Sequence, residues 1–337
     1  MIDKLSYIES KTFDPYKNLA LEEYLMLSCG ENECILYLWQ NKKTVVIGRN
    51  QNPWKECHAE NLRSDGGFIA RRLSGGGAVY HDTGNLNFTF LIRKDNYSVS
   101  KQLDVIIRAV RKLGITAVRS GRNDILTDGR KFSGNAFYRT GDFCYHHGTI
   151  MMDVNTDDLS RYLSVPEDKL RSKGVSSVKS RVTNLKKING DITAELLKKS
   201  MLSAFEEVYS LKAEPFNERC LDKSALDPLE EKFSSWDWIY GENPAFENEF
   251  SYRFDWGSAD LHINAEKGRI TDIILYSDCL DTDFIPELEN ALTGVKYDKA
   301  EICRALSQYA GIHDPSGPRY KMAKDIEEKM LLVHHFV

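Results

Sequence analysis

The sequence predicts an α+β fold in two domains, residues 1–246 and 247–337. Three observations carry this. Capped helical patterns sit among short β-branched and aromatic runs in the first part of the chain. After Glu247, three alternating segments precede three helical ones. Finally, 337 residues with 42% hydrophobic side chains are enough for two cores.

The elements follow in order. Asp14 and Pro15 open a helix over 14–28, with Tyr16, Leu19, Ala20 and Leu27 at helical spacing. Cys34–Trp39 and Thr44–Gly48, separated by the turn-like Gln40 to Lys43, read as an antiparallel hairpin. Asn87–Ile92 is a further strand. Ser100 caps a helix that runs to Leu113, with Leu103, Ile106, Ile107 and Val110 on one face and Gly114 just beyond. Short strand-like pieces surround Ala117, Ile125, Phe132 and Thr149–Met152, with GRND (121–124) and GRKFSGNA (129–136) in the connecting loops. Thr193–Tyr209 is another helix, and 210–246 is mixed. Phe250–Trp256, Ala259–Asn264 and Arg269–Tyr276 form a three-stranded antiparallel unit, followed by helices at 284–293, 299–310 and 320–332.

Composition excludes several classes. No apolar run approaches the roughly 18 residues of a membrane span, and the N-terminus lacks a signal-peptide core, so a cytoplasmic location is expected. Seven scattered cysteines without a Cys-x-x-Cys pair argue against a disulfide framework or zinc ribbon, and most are expected to be reduced and buried. A net charge of −5 gives nucleic-acid binding little support. The run from Lys169 to Lys187 is nevertheless basic without an acid, and its glycine and serines suit a mobile loop.

Chemistry concentrates around RRLSGGGAVYHDTGNLNFTF, residues 71–90. Gly75, Gly76 and Gly77 let backbone N–H groups approach a phosphate, and Arg71 or Arg72 offers a planar guanidinium beside them. Neither the Walker nor the Rossmann glycine order is present. Asn123 and Asp124 suit Mg²⁺ that keeps its waters, and Lys131 is a point charge for phosphate or carboxylate. Each also has an ordinary reading, as turn residues and a solvated lysine. His146 and His147 lack a third ligand at metal spacing and, like His81, read as pocket or core residues.

Taken together, RRLSGGGAVYHDTGNLNFTF, GRND, RKFSGNAFY, HHGT and KGVSSVKSRVTNL resemble, in order and spacing, the lipoate-protein ligase A family of the biotin and lipoate ligase superfamily. The resemblance covers essentially the whole chain. It implies a large mixed or antiparallel-sheet catalytic domain with a small accessory domain. It also implies an enzyme that uses ATP and Mg²⁺ to make lipoyl-adenylate, then lipoylates a lysine on apo lipoyl-domain acceptor proteins. Residue by residue, it makes Arg72, Gly75, Gly76, Gly77, Ala78, Val79, Tyr80, Asn123 and Lys131 adenylate contacts, with Lys179 and Arg181 on the loop that folds over adenylate. Asp124 falls on the metal side, and Lys131 spans the acyl carbonyl and the phosphate as the catalytic lysine. Ala136 and His147 fall near the acyl chain, as do Leu73 and Ser74.

The alternatives are a lipoyl or octanoyl transferase working through an acyl-cysteine, a biotin ligase, or a non-catalytic acyl-adenylate or RNA-binding protein. The transferase needs a thiol beyond the HHG segment, yet 146–219 contains no cysteine. Nothing in the sequence demands more than a monomer.

Overall fold

The computed structural model describes residues 1–121, 123–164, 181–218, 221–240, 248–266 and 268–332. By contacts the chain divides into two compact units, one of Met1–Ile47, Pro53–Leu73 and Ala78–Gly241, the other of Gly48–Asn52, Ser74–Gly77 and Glu242–Val337. Among the described residues, no helix is long and apolar enough to cross a membrane.

The strands, in chain order, are β1 (Lys4–Glu9), β2 (Glu33–Trp39), β3 (Thr44–Ile47), β4 (Phe68–Arg71), β5 (Val79–His81), β6 (Asn85–Arg93), β7 (Val118–Ser120), β8 (Asp124–Thr127), β9 (Arg130–Thr140), β10 (Phe143–Met151), β11 (Ala213–Pro215), β12 (Asn248–Phe254), β13 (Gly257–Glu266) and β14 (Arg269–Tyr276). The first unit holds an eight-stranded sheet in the order β11-β1-β2-β6-β10-β9-β8-β7 and a small one in the order β4-β3-β5. The large sheet is mixed. β1 lies parallel to β2 and β11, whereas β6, β10, β9 and β8 pair antiparallel.

Packing explains why the strands read as they do. Leu36, Leu38, Phe88, Phe90 and Ile92 face the helices Val99–Lys112 and Ala194–Tyr209 in one core. Ile35, Tyr37, Trp39 and Leu91 belong to a second core with the helix Pro15–Leu27. Burial on both faces removes the polar alternation from β2, whose seven residues are all buried. The Asp14 carboxylate accepts the Tyr16 and Lys17 N–H groups, a cap worth about 1 kcal/mol. Thr193 caps Ala194–Tyr209 in the same way.

Three expectations are corrected. Cys34–Trp39 and Thr44–Gly48 do not form a hairpin, because both edges of β2 are taken by β1 and β6. β3 pairs instead with β4 and β5, and the Asn18 amide donates to Gln40 O and Asn41 Oδ1 where the chain crosses between sheets. Ser98, not Ser100, caps the next helix, accepting from the Lys101 N–H. GRKFSGNA is no loop, since all but its glycine at 129 lies in the eleven-residue β9.

In the second unit β12, β13 and β14 are antiparallel. The apolar side of this sheet packs with the helices Phe284–Leu292, Lys299–Gly311 and Pro318–Leu331. Arg319 joins the unit together, donating to both oxygens of Asp281 and of Glu287. Two loops from earlier in the chain belong here as well. The Ser277 N–H donates to Asn50 O at 2.7 Å, and the Gly76 N–H to Cys279 O at 3.1 Å.

Candidate active site

The candidate site is built on one face of the large sheet. Residues paired across it form two rows. Trp39 opposes Asn87 and Asn87 opposes Thr149, while Gly134 opposes Asp124. In the next row Tyr37, Thr89, His147 and Ala136 face one another in sequence. The Gly134 N–H donates to Thr149 Oγ1 at 3.3 Å, which closes the first row.

A β-bulge aims the lysine. Between β8 and β9, Ile125 pairs with Ser133 but Leu126 pairs with Lys131, leaving Phe132 as the extra residue. Phe132 turns into the apolar core, and Lys131 emerges on the face of Gly134. There its Nζ lies 2.7 Å from Asp124 Oδ1, with both side chains about a third exposed. A Cβ on Gly134 would come within 2.9 Å of that Nζ, so the glycine makes room for the ammonium. Asp124, expected on a loop, is instead the first residue of β8.

Next to this pair lies a buried polar group that the sequence reading missed. Trp39 Nε1 donates to Thr89 Oγ1 at 3.1 Å, Thr89 Oγ1 donates to Glu22 Oε1 at 2.6 Å, and His147 Nδ1 lies 2.9 Å from the same oxygen. Two signals of it were available. Asn85, Asn87 and Thr89 alternate with Leu86, Phe88 and Phe90, and Glu22 falls three residues from Leu19 on the buried side of its helix. His81 Nδ1 faces the Asn41 amide at 3.3 Å, and its ring packs edge-on to Trp39. Burial, with Arg72 beside it, pushes His81 down to about 3. The buried His81 Nε2 and Asn87 Nδ2 have no hydrogen-bond partner among the described residues.

The two arginines that the sequence left as alternatives both donate to backbone carbonyls. Arg71 donates to the carbonyls of Trp238 and Ile239. Arg72 is buried too, donates to Val46 O at 3.1 Å and is brought down to about 10 by burial, with Tyr145 and Glu22 partly restoring it. Leu73 packs in the core beside the helix Pro15–Leu27, and Ser74 is buried. Of the glycines, Gly75 has no room for a Cβ beside Cys279 O, Gly76 has φ +89°, and Gly77 borders open space. Val79 and Tyr80 lie on β5, and the Tyr80 ring packs on Tyr162. Lys179 lies outside the described residues. Arg181 is exposed, and just beyond it Val182 bridges Lys131, with the Thr183 N–H donating to Lys131 O at 2.8 Å.

Thiols are of a different kind. Six described cysteines are free and buried, and burial pushes Cys57 and Cys279 up to about 11 and Cys29 to about 12. Cys144 lies in the core on the far face from His147.

Comparison with known proteins shows the family to which the chain belongs. Residues 14–206 match the family model of the lipoyl protein ligase A/B catalytic domain, and 243–322 that of the bacterial lipoate protein ligase C-terminus. The chain is 41% identical over 307 residues to a lipoate-protein ligase A of Psychrobacter cryohalolentis, covering 89% of this chain and 91% of the relative. Among solved structures, P. falciparum LipL1 in complex with lipoate superimposes with a TM-score of 0.83 at 31% identity, covering 98% of this chain and all of the other. A bipartite lipoate protein ligase from Thermoplasma acidophilum, solved in a study of the ligase and its E2 lipoyl domain, gives a TM-score of 0.63 at 25% identity, covering 74% and 100%.

Proposed function

The chain belongs to the lipoate-protein ligase A family and is a lipoate ligase, and from this premise we propose that it runs both half-reactions at the Lys131 face of the large sheet. ATP activates lipoate to lipoyl-adenylate, and the lipoyl group then passes to a lysine of an apo lipoyl-domain acceptor. The observation that carries the reading is Lys131 Nζ, held by a bulge beside Asp124 and Gly134.

In the first half-reaction a lipoate carboxylate oxygen attacks the α-phosphorus of ATP, a P–O bond forms, and pyrophosphate departs. Two anions must meet, so cationic donors have to precede chemistry. Lys131 would supply one, and Arg72 a second in the same unit. In the second, an acceptor amine attacks the acyl carbonyl and AMP leaves. Lys131 would then donate to the developing oxyanion.

Mg²⁺ fits this donor set in a limited way. No group of three or more His, Cys, Asp or Glu gathers among the described residues. One carboxylate, Asp124, suits an ion that arrives with nucleotide phosphates and keeps its waters. When bound, the ion would neutralise phosphate charge. The donors His81 Nε2 and Asn87 Nδ2, without a hydrogen-bond partner among the described residues, lie around Trp39, a polar lining for a buried substrate. An acyl-cysteine transferase is disfavoured, since every described thiol is buried. We further propose that Gly77, Ala78 and Val79 face the nucleotide, that Ala136 and His147 face the acyl chain, and that the protein acts as a cytoplasmic monomer.

The test is pyrophosphate release from MgATP with and without lipoate, followed by addition of an apo lipoyl domain. Lipoate-dependent release and a lipoyl mass gain on the acceptor are expected. Transfer only from supplied lipoyl-adenylate would overturn the first half-reaction.

A further inference from the structure

Asn135, in the RKFSGNA stretch, uses every polar atom it has. Its N–H and its Nδ2 both donate to Asn123 O, at 2.9 and 3.0 Å, and its carbonyl accepts from Asn123 Nδ2 at 2.9 Å. Its Oδ1 lies 2.9 Å from His146 Nε2. His146 is fully buried, with its ring among Phe88, Phe90 and Phe137 on the face away from Lys131, and its Nδ1 is 3.1 Å from the Gln102 amide.

The direction of this network follows from valence. Because Asn123 O can only accept, Asn135 must turn its nitrogen there and its oxygen to the histidine. His146 Nε2 therefore carries hydrogen. Burial holds the ring neutral, pushing it down to about 3, so Nδ1 needs a donor. Gln102 supplies one when its amide is turned over, which also employs a Gln102 nitrogen that otherwise has no partner among the described residues. Donation then runs from Gln102 to His146 to Asn135 to Asn123.

We infer that His146, which touches no reacting group, is a positioning residue for the Asn123–Asp124 corner. By donating to Asn135 Oδ1, it holds in place the side chain whose Nδ2 grips the carbonyl of Asn123, and hence how Asp124 is presented to Lys131. This rests on the reading of Asn123 and Asp124 as the nucleotide side of the site.

The experiment measures lipoate-dependent ATP–pyrophosphate exchange by the full-length protein at fixed excess Mg²⁺. His146→Phe removes the donor, His146→Gln keeps an N–H near the position of Nε2, and Asp124→Asn checks the underlying reading. His146→Phe is expected to raise the KM for ATP about tenfold, the loss of one buried hydrogen bond, with the KM for lipoate little changed. His146→Gln should restore it, and the Asn135 side-chain amide resonances should move in the Phe variant and return in the Gln variant. Equal rises in both KM values for Phe and Gln alike, with a matching fall in thermal midpoint, would reduce His146 to a merely structural part. An effect of Asp124→Asn without one of His146→Phe would refute the positioning role alone. No effect of Asp124→Asn on ATP would remove the reading and the proposal together. Should the Phe variant not fold, imidazole nitrogen spectra of the unaltered protein decide: the Nε2–H form is expected, and an Nδ1–H form overturns the inference.

Discussion

His146 and His147 are adjacent on β10, both buried, and answer to opposite faces of the same sheet. His146 meets aromatic rings and two amides, whereas His147 meets the Glu22 carboxylate, which also takes the Thr89 hydroxyl. Burial alone therefore does not define a histidine's role. A ring among neutral dipoles is suited to hold backbone, and one beside a carboxylate is suited to a charged site. The glycines on either side of this sheet repeat the contrast. A Cβ on Gly134 would meet the flexible end of Lys131, while one on Gly148 would meet Gly134 O and Phe88 Cζ at 2.6 Å.

The contrast can be broken first at the charged face. Lys131→Ala removes a donor from developing charge and is expected to slow transfer from supplied lipoyl-adenylate by about 10²–10³-fold, or about 2.7–4 kcal/mol. Because the side chain is a third exposed, its urea midpoint should stay near that of the unaltered protein.

On the apolar face, Gly148→Ala pushes a methyl against backbone and a packed ring. It should destabilise the fold by about 1–3 kcal/mol in urea titrations.

Acid probes the buried rings directly. For His81 and His146, burial places the folded pKa near 3, against about 6.5 in the unfolded chain. The unfolded chain thus binds protons that the fold refuses, and stability falls as pH drops through that window. Between pH 7 and 5 the loss is about 2 kcal/mol for each ring. Urea titrations at both pH values should find that His146→Gln loses about half of the difference attributable to the two.

The smallest effect is expected from Gly134→Ala. It displaces Lys131 without touching backbone, so activity should fall about tenfold with stability within about 0.5 kcal/mol. If it destabilised as much as Gly148→Ala, the distinction between the faces would be lost.

Much of this was legible in one dimension. The helix Pro15–Leu27 announces itself through Asp14 and Pro15, and β12 to β14 through alternation, since one face of that sheet is buried. Lys131, Asp124, Ala136 and His147 were singled out by residue type and motif, and all four lie on one sheet face. The hairpin at Gln40 to Lys43 was misread because a strand's partners are set by which edges remain open. Glu22 and Thr89 left only spacing signals, on a helix and on a strand, and that the two meet is a contact between distant parts of the chain.

By itself the sequence determined the chemistry available: a glycine run after two arginines, one lysine and one aspartate near each other, and seven scattered cysteines without a Cys-x-x-Cys pair. It also determined most helix boundaries, because caps and periodicity act within a few residues. The tertiary structure decided which way those groups point. A single extra residue at Phe132 reverses the alternation of β9 and brings Lys131 to the face of Asp124. The pairing of β10 with β6 and β9 likewise decides which of two adjacent histidines meets a carboxylate. Strand register is a contact between distant parts of the chain, and side-chain direction in a sheet follows from it.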